Sequence, residues 1–320
     1  LSVPSRARAG ELARSKGGLS GREAWFALNS VEGLGAGSLL RLARRFGSPE
    51  AALAASREEL IALGRIGAGE AERIRALAAE PESIRRRIAG LERHGIRLVC
   101  LGERSYPGSL LALRSPPPLL YLSGRLKSAD RRAVAVVGTR SPTASGARLA
   151  RQFARALARE GWTVVSGLAL GIDAAAHEGA LESGGRTIAV VGCGLRRVYP
   201  PENEGLAARV ARQGCLVSEI PAESRVCRGS LLARDRIQAG LCAATVVVQG
   251  QENCGSMVTA KHALACGRAM FAVPWECDPF AAGWEKLRRM GARRVNSSEE
   301  LVRALSDLER EPAEARGRLL

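Results

Sequence analysis

In the run Ser166-Gly167-Leu168-Ala169-Leu170-Gly171-Ile172-Asp173-Ala174-Ala175-Ala176-His177, a carboxylate and an imidazole stand four residues apart. On a helix that spacing stacks Asp173 and His177 on one face and permits a hydrogen bond between them. A general acid–base pair would also need a nucleophile or a metal. The three histidines of the chain, His94, His177 and His262, have no metal-ligand spacing, and Ser166 lacks the Gly-x-Ser-x-Gly setting of a hydrolase nucleophile. The pair is therefore read as structural, with Asp173 capping the helix that begins there, and Ser166 as a donor to a phosphate.

A phosphate is the ligand that the glycine-bearing turns suggest. Gly138-Thr139-Arg140, Ser166-Gly167, Gly192-Cys193-Gly194 and Asn253-Cys254-Gly255-Ser256 each follow a strand-like run, so all four are expected at one edge of a sheet. Glycine lets a backbone approach a ligand, helix-start amides and hydroxyls donate to phosphate oxygens, and Arg140 can make a two-pronged bond. The expected phosphate contacts are Gly138, Thr139, Arg140, Ser166, Gly167, Asn253, Gly255, Ser256 and Lys261. The alternative for any single turn is a connection where only glycine fits. Arg234 and Arg236 flank Asp235, so either one faces the ligand or simply neutralises that carboxylate. Gly-x-Gly-x-x-Gly and the P-loop spacing are both absent from the sequence, which argues against a dinucleotide enzyme and leaves no cofactor implied.

The elements that must position these turns are legible as alternation. Strand-like runs Val134–Val137, Thr163–Val165, Thr187–Val191, Cys215–Val217, Thr245–Val248 and Met270–Val273 alternate with helical stretches Ala147–Glu160, Asp173–Leu181, Glu202–Gln213 and Ser256–Cys266. That is the pattern of βαβ units in an α/β, doubly wound, mostly parallel sheet. Ahead of it, residues 19–80 are helical throughout and form a small all-helical domain. There Leu34-Gly35-Ala36-Gly37 recurs as Ile66-Gly67-Ala68-Gly69, which fits two helical hairpins. Their turns either grip a phosphate or only turn the chain. Residues 81–305 make the large domain, with 81–125 as connector and first strand, broken by Ser115-Pro116-Pro117-Pro118. Residues 1–18 are expected to be a disordered basic tail and 306–320 a C-terminal tail.

With 48 basic against 32 acidic residues in 320, the formal net charge of +16 makes a polyanion, nucleic acid first, the expected partner. A bias toward arginine is the blander explanation. The eight cysteines include no C-x-x-C pair and are expected to be reduced core thiols. No run approaches the roughly 18 apolar residues of a membrane span and no apolar signal core follows the basic start, so a cytoplasmic protein is expected.

Together these strings resemble the DNA-processing protein A family (DprA, also called Smf). Its pattern is Gly-Ser-Arg, Ser-Gly-x-Ala-x-Gly-Ile-Asp-x-x-Ala-His, Tyr-Pro-x-x-Asn, Arg-Asn-Arg-Ile-x-x-Gly-Leu, Ser-Gly-Ser-x-x-Thr-Ala and Ala-Val-Pro-Gly. The chain reads Gly138-Thr139-Arg140, Ser166 through His177, Tyr199-Pro200-Pro201-Glu202-Asn203, Arg234-Asp235-Arg236-Ile237-Gln238-Ala239-Gly240-Leu241, Cys254-Gly255-Ser256-Met257-Val258-Thr259-Ala260 and Ala272-Val273-Pro274-Trp275. The resemblance implies an extended Rossmann-like domain behind a helical domain of the sterile-alpha-motif or helix-hairpin-helix kind. It also implies a non-enzymatic homodimer that binds single-stranded DNA, protects it during natural transformation and helps load the RecA recombinase. The winged-helix domain that many members carry is not expected after Leu308.

Leu170 stands where the family is often basic, Leu231 where it carries an aromatic, Asp235 where it has Asn and Trp275 where it has Gly. Leu170, Leu231 and Asp235 admit a relative with weakened DNA binding. A nucleotide-cleaving enzyme of the phosphoribohydrolase kind is the alternative from another class, but its Pro-Gly-Gly-x-Gly-Thr string is missing.

Overall fold

The computed structural model describes residues 19–277 and 279–310. The expected disordered tail, 1–18, and residues 311–320 lie outside the described residues. The chain divides into two compact units between Arg93 and His94. The first is all helical: α1 (Gly21–Asn29), α2 (Ala36–Phe46), α3 (Pro49–Ala54), α4 (Arg57–Ile61), α5 (Ala68–Ala78) and α6 (Pro81–Arg93). Helix α6 thus belongs to this unit, whereas the composition placed residues from 81 onward with the large domain. Leu28, Leu39, Leu42, Leu60, Ile74 and Ile84 are fully buried in it. The sequence echo is real at the level of caps, since Gly35 and Gly67 are the N-caps of α2 and α5 and neither supplies a side-chain bond. The Glu70 carboxylate lies beside the second turn, within 2.6 Å of where a Gly67 Cβ would be. A negative charge there opposes phosphate binding.

The second unit is a nine-stranded sheet: β1 (Ile96–Cys100), β2 (Leu119–Gly124), β3 (Ala133–Gly138), β4 (Thr163–Ser166), β5 (Thr187–Val190), β6 (Cys215–Ser218), β7 (Ala244–Gln249), β8 (Ala269–Ala272) and β9 (Arg293–Arg294). Their spatial order is β1-β2-β6-β5-β4-β3-β7-β8-β9. Strands β3 to β9 pair in parallel wherever they neighbour one another, while β2 runs antiparallel to both β1 and β6. Between the strands come α7 (Ala144–Arg159), α8 (Ile172–Glu182), α9 (Glu204–Gln213), α10 (Arg228–Leu241), α11 (Gly255–Ala265) and α12 (Ala281–Arg289), and α13 (Ser298–Arg310) follows β9.

Both faces of the sheet are covered, and the strands show it at period two. Val134 and Val136 pack with Phe153 and Leu157 of α7 and with Leu301 and Leu305 of α13. Ala135 and Val137 pack with Ile237 of α10 and with Met257 and Ala260 of α11. The fold of this unit is therefore the α/β, mostly parallel, doubly wound sheet expected from the alternation, and the other unit is all helical as expected. One boundary differs: residues 306–310, expected in the C-terminal tail, continue α13. Glu309 pairs with Arg132 at 2.6 Å and Leu308 packs against the core, so the amphipathic period persists past Leu305.

Candidate functional site

The chain runs outward from β3 through β4 and β5 to β6, then returns to place β7 on the other side of β3. Diverging connections leave a crevice at such a switch point, outside the carboxyl ends of the strands. A pocket of about 270 Å³ lies there, and Gly138, Thr139 and Arg140 after β3, Asp173 of α8, Leu231, Leu232, Arg234, Asp235 and Gln238 of α10, and Cys254, Gly255 and Ser256 at the start of α11 line it. That volume sits below the roughly 300–1,000 Å³ of small-molecule sites, so the pocket suits one phosphate and its sugar better than a whole dinucleotide.

Helices α7, α8 and α11 begin near this crevice, and the first amides of α7 and α8 are engaged by Thr143, by the Thr139 carbonyl and by the Ala169 carbonyl. Thr143 caps α7, its side chain accepting from the Gly146 amide at 3.0 Å, and the Thr143 amide donates to Gln249 Oε1 at 2.9 Å. Helix α11 has Cys254 as N-cap with no side-chain bond, so the amides of Gly255 and Ser256 have no partner among the described residues. Ser256 is buried with its hydroxyl 2.9 Å from the Cys254 thiol.

Arg140 is exposed and has no ion pair or hydrogen bond among the described residues. Its turn is fixed by contact with the loop before α8: Ile172 donates its amide to the Thr139 carbonyl at 3.1 Å. Gly171, at φ +79°, fits there because a Cβ would lie 2.5 Å from that carbonyl oxygen. Arg234 is the opposite case, only 7 % exposed. Its Nη1 donates to the Val190 carbonyl at 2.8 Å and to Gln238 Oε1 at 3.0 Å. Its Nε lies 3.0 Å from Asp235 Oδ1 but is not aligned to donate, and its Nη2 is 3.9 Å from Asp173 Oδ2. Only Nη2 remains for a ligand.

Asp173 does not cap α8 in the expected way. Gly171 is the N-cap, and the Asp173 carboxylate reaches back to accept from the amides of Gly167 at 3.1 Å and Ala169 at 3.4 Å. Between those amides Leu168 is held at φ +60°, and Asn203 Nδ2 grips its carbonyl at 2.8 Å. A leucine tolerates that conformation only when its surroundings impose it. Burial raises the Asp173 carboxyl above its ordinary range, outweighing Arg234 and the turn amides. His177 is not bonded to Asp173 either. Thr187 gives its hydroxyl proton to the Val164 carbonyl at 2.8 Å and accepts from His177 Nδ1 at 2.7 Å. Burial, with Arg234 adding to it, lowers the His177 imidazole to about 3, which leaves it neutral.

The structure therefore gathers Gly138, Thr139, Arg140, Arg234, Gly255 and Ser256 of the expected contacts into one pocket, and places the others elsewhere. The Ser166 hydroxyl is fully buried and donates to the Val136 carbonyl at 2.7 Å, and the Gly167 amide is taken by Asp173. Arg236 pairs with Glu219 away from the pocket lining. Asn253 is exposed with its carboxamide oxygen 3.5 Å from Lys286 Nζ, and Lys261 lies exposed along α11 outside the lining. Gly192 and Gly194 are packing glycines, crowded by the backbones of Leu231 and Ala222. Trp275 donates to the Val248 carbonyl at 2.6 Å and packs on the core, so it offers no ring to the pocket. Sequence reasoning missed Gln238, whose i, i+4 spacing from Arg234 was the available signal. Among the described residues no metal-ligating cluster occurs, all cysteines are free thiols, and no helix is long and apolar enough to cross a membrane.

The doubly wound α/β domain is of Rossmann-like class, and at its switch point stand an uncapped helix start and an arginine without a partner among the described residues. The family model for DNA recombination-mediator protein A matches residues 97–306, and the chain belongs to that family. It is 37 % identical over 222 residues to DNA processing protein DprA of Bacillus subtilis, covering 69 % of this chain and 75 % of that one. It is also 37 % identical over 289 residues to Protein Smf of Synechocystis, covering 88 % and 72 %. The X-ray structure of DNA processing protein A from Streptococcus pneumoniae superposes with a TM-score of 0.77 at 27 % identity, covering 89 % of this chain and 98 % of that one. That of DNA processing protein A from Helicobacter pylori, described for its single-stranded DNA binding mode, gives 0.60 at 30 % identity over 66 % and 96 %.

Proposed function

We propose that this chain binds single-stranded DNA at the switch-point pocket, protects strands entering the cell and helps load the RecA recombinase during natural transformation and recombination. It works by binding rather than by catalysis, without a cofactor, as a cytoplasmic homodimer. The observation that carries this reading is the pairing of exposed Arg140 with the uncapped start of α11 in one pocket. A phosphodiester seated there would take hydrogen bonds from the guanidinium and from the Gly255 and Ser256 amides. The net charge of +16 and the single-stranded DNA binding of the Helicobacter pylori relative support the same ligand.

A salt-titrated shift assay comparing single-stranded and duplex oligonucleotides tests it. Single strands should bind more tightly, and Arg140→Ala should weaken all sequences alike, reducing the slope of log affinity against log salt by about 0.7–1. Unchanged affinity and slope in the variant would remove Arg140 from the site, and equal affinity for duplex would overturn the single-strand preference.

A further inference from the structure

The charged side chains lining the pocket are Arg140, Arg234, Asp173 and Asp235. With all four ionised they cancel, so the cavity offers an incoming phosphate no net positive charge. The two carboxylates are not equivalent. Asp173 accepts two turn amides and holds the loop before α8 in place. Asp235 is 5 % exposed and has no hydrogen-bond donor among the described residues: its one close neighbour, Arg234 Nε, stands 3.0 Å away but misaligned. It feels the charges of Arg140 in the turn after β3 and of Asp173 on α8, and shares the pocket lining with Cys254, Ser256 and Thr259 at the start of α11. A phosphate bound to Arg140 would compete with this carboxylate for the same guanidinium.

Building on the single-strand reading above, we propose that Asp235 sets the affinity of this pocket, opposing the phosphate while ionised and taking up a proton when the strand binds. The geometry makes Asp235 the carboxylate whose removal breaks no hydrogen bond and loses only its ion pair with Arg234, which keeps Asp173 as a counter-charge. Burial, with Asp173 adding to it against Arg234 and Arg140, raises its carboxyl to about 6, so both forms are accessible near neutrality. A bound phosphate adds a further negative charge and moves the carboxyl higher still. Affinity therefore falls as pH rises through about 6 and beyond. His177, held neutral by burial, does not change charge in that window.

The test is fluorescence anisotropy with a thymine homopolymer, whose bases and phosphodiesters keep one charge between about pH 5 and about pH 8, at fixed ionic strength. Wild type should lose about tenfold in affinity across that range, one pH unit of linkage being a factor of ten. Asp235→Asn, which conserves the shape, should bind at about pH 8 as tightly as wild type does at about pH 5, with a flat profile. Calorimetry of wild type in buffers of different ionisation heat should show proton uptake on binding. Equal affinities of the two proteins at about pH 8, or no proton uptake, would overturn the role of Asp235 while leaving single-strand binding intact. No binding by either protein at any pH would overturn both readings.

Discussion

At the floor of the pocket Arg234 is buried, its Nη1 bonded to Val190 and Gln238, and a Cβ on Gly167 would lie 1.4 Å from that nitrogen. At the rim Arg140 is exposed, and nothing lies within 4 Å of where a Gly255 Cβ would be. Arginine and glycine serve both places, to opposite ends. The floor uses a guanidinium to neutralise two buried carboxylates and a glycine to admit it. The rim leaves both without a partner among the described residues. Residue type alone does not separate structural from ligand-facing roles, whereas burial and hydrogen-bond satisfaction do.

Removing the floor's cation should have the largest effect on stability. Arg234→Ala leaves Asp173 and Asp235 buried and uncompensated, and urea unfolding should show a loss of about 3–5 kcal/mol. A loss below about 1 kcal/mol would mean that water already reaches the floor. Asp235→Asn should act in the other direction. The folded value of Asp235, about 6, lies above the ordinary 3.8, so its stabilising contribution is present below about pH 3.8 and is lost as pH rises through about 6. At about pH 8 the asparagine variant should therefore be more stable by something on the order of 3 kcal/mol, the difference shrinking toward about pH 4. The two glycines sharpen the contrast further. Gly167→Ala must displace the held guanidinium and should cost about 1–3 kcal/mol. Gly255→Ala should stay within about 0.5 kcal/mol of wild type in the same melts and show its effect only in strand binding.

Much of the fold was legible because each central strand is a short apolar run between glycine turns and amphipathic helices. Val134 to Val137 is one such run, and it carries both faces of the sheet. Strand β9, two exposed arginines, has no apolar signal and could not be read. The end of α13 is not legible locally, because Glu309 and Arg310 look like a tail until Arg132 is placed beside Glu309. For the site, adjacency to strand ends located Arg140 and Gly255 correctly at one edge. Local sequence could not show that Ser166 would spend its hydroxyl on Val136, or that Arg236 would face Glu219. Both depend on partners 30 and 17 residues away. The sequence suggests a cap at Asp173 because a carboxylate beside a helix start usually is one. Here it reaches backward into a turn that Leu168 could not hold unaided.

Gly192 sits against the backbone nitrogen and Cα of Leu231, where a Cβ would lie only 3.0 Å from either. The wall carrying Leu231 and Leu232 is thus seated on the end of β5 with less than a side chain's thickness between them, and it has no room to recede. On the proposed reading, a strand meets this wall of the pocket as it stands. Association rates should track ionic strength and solvent viscosity, with no saturation at high ligand concentration that would betray a slow opening step.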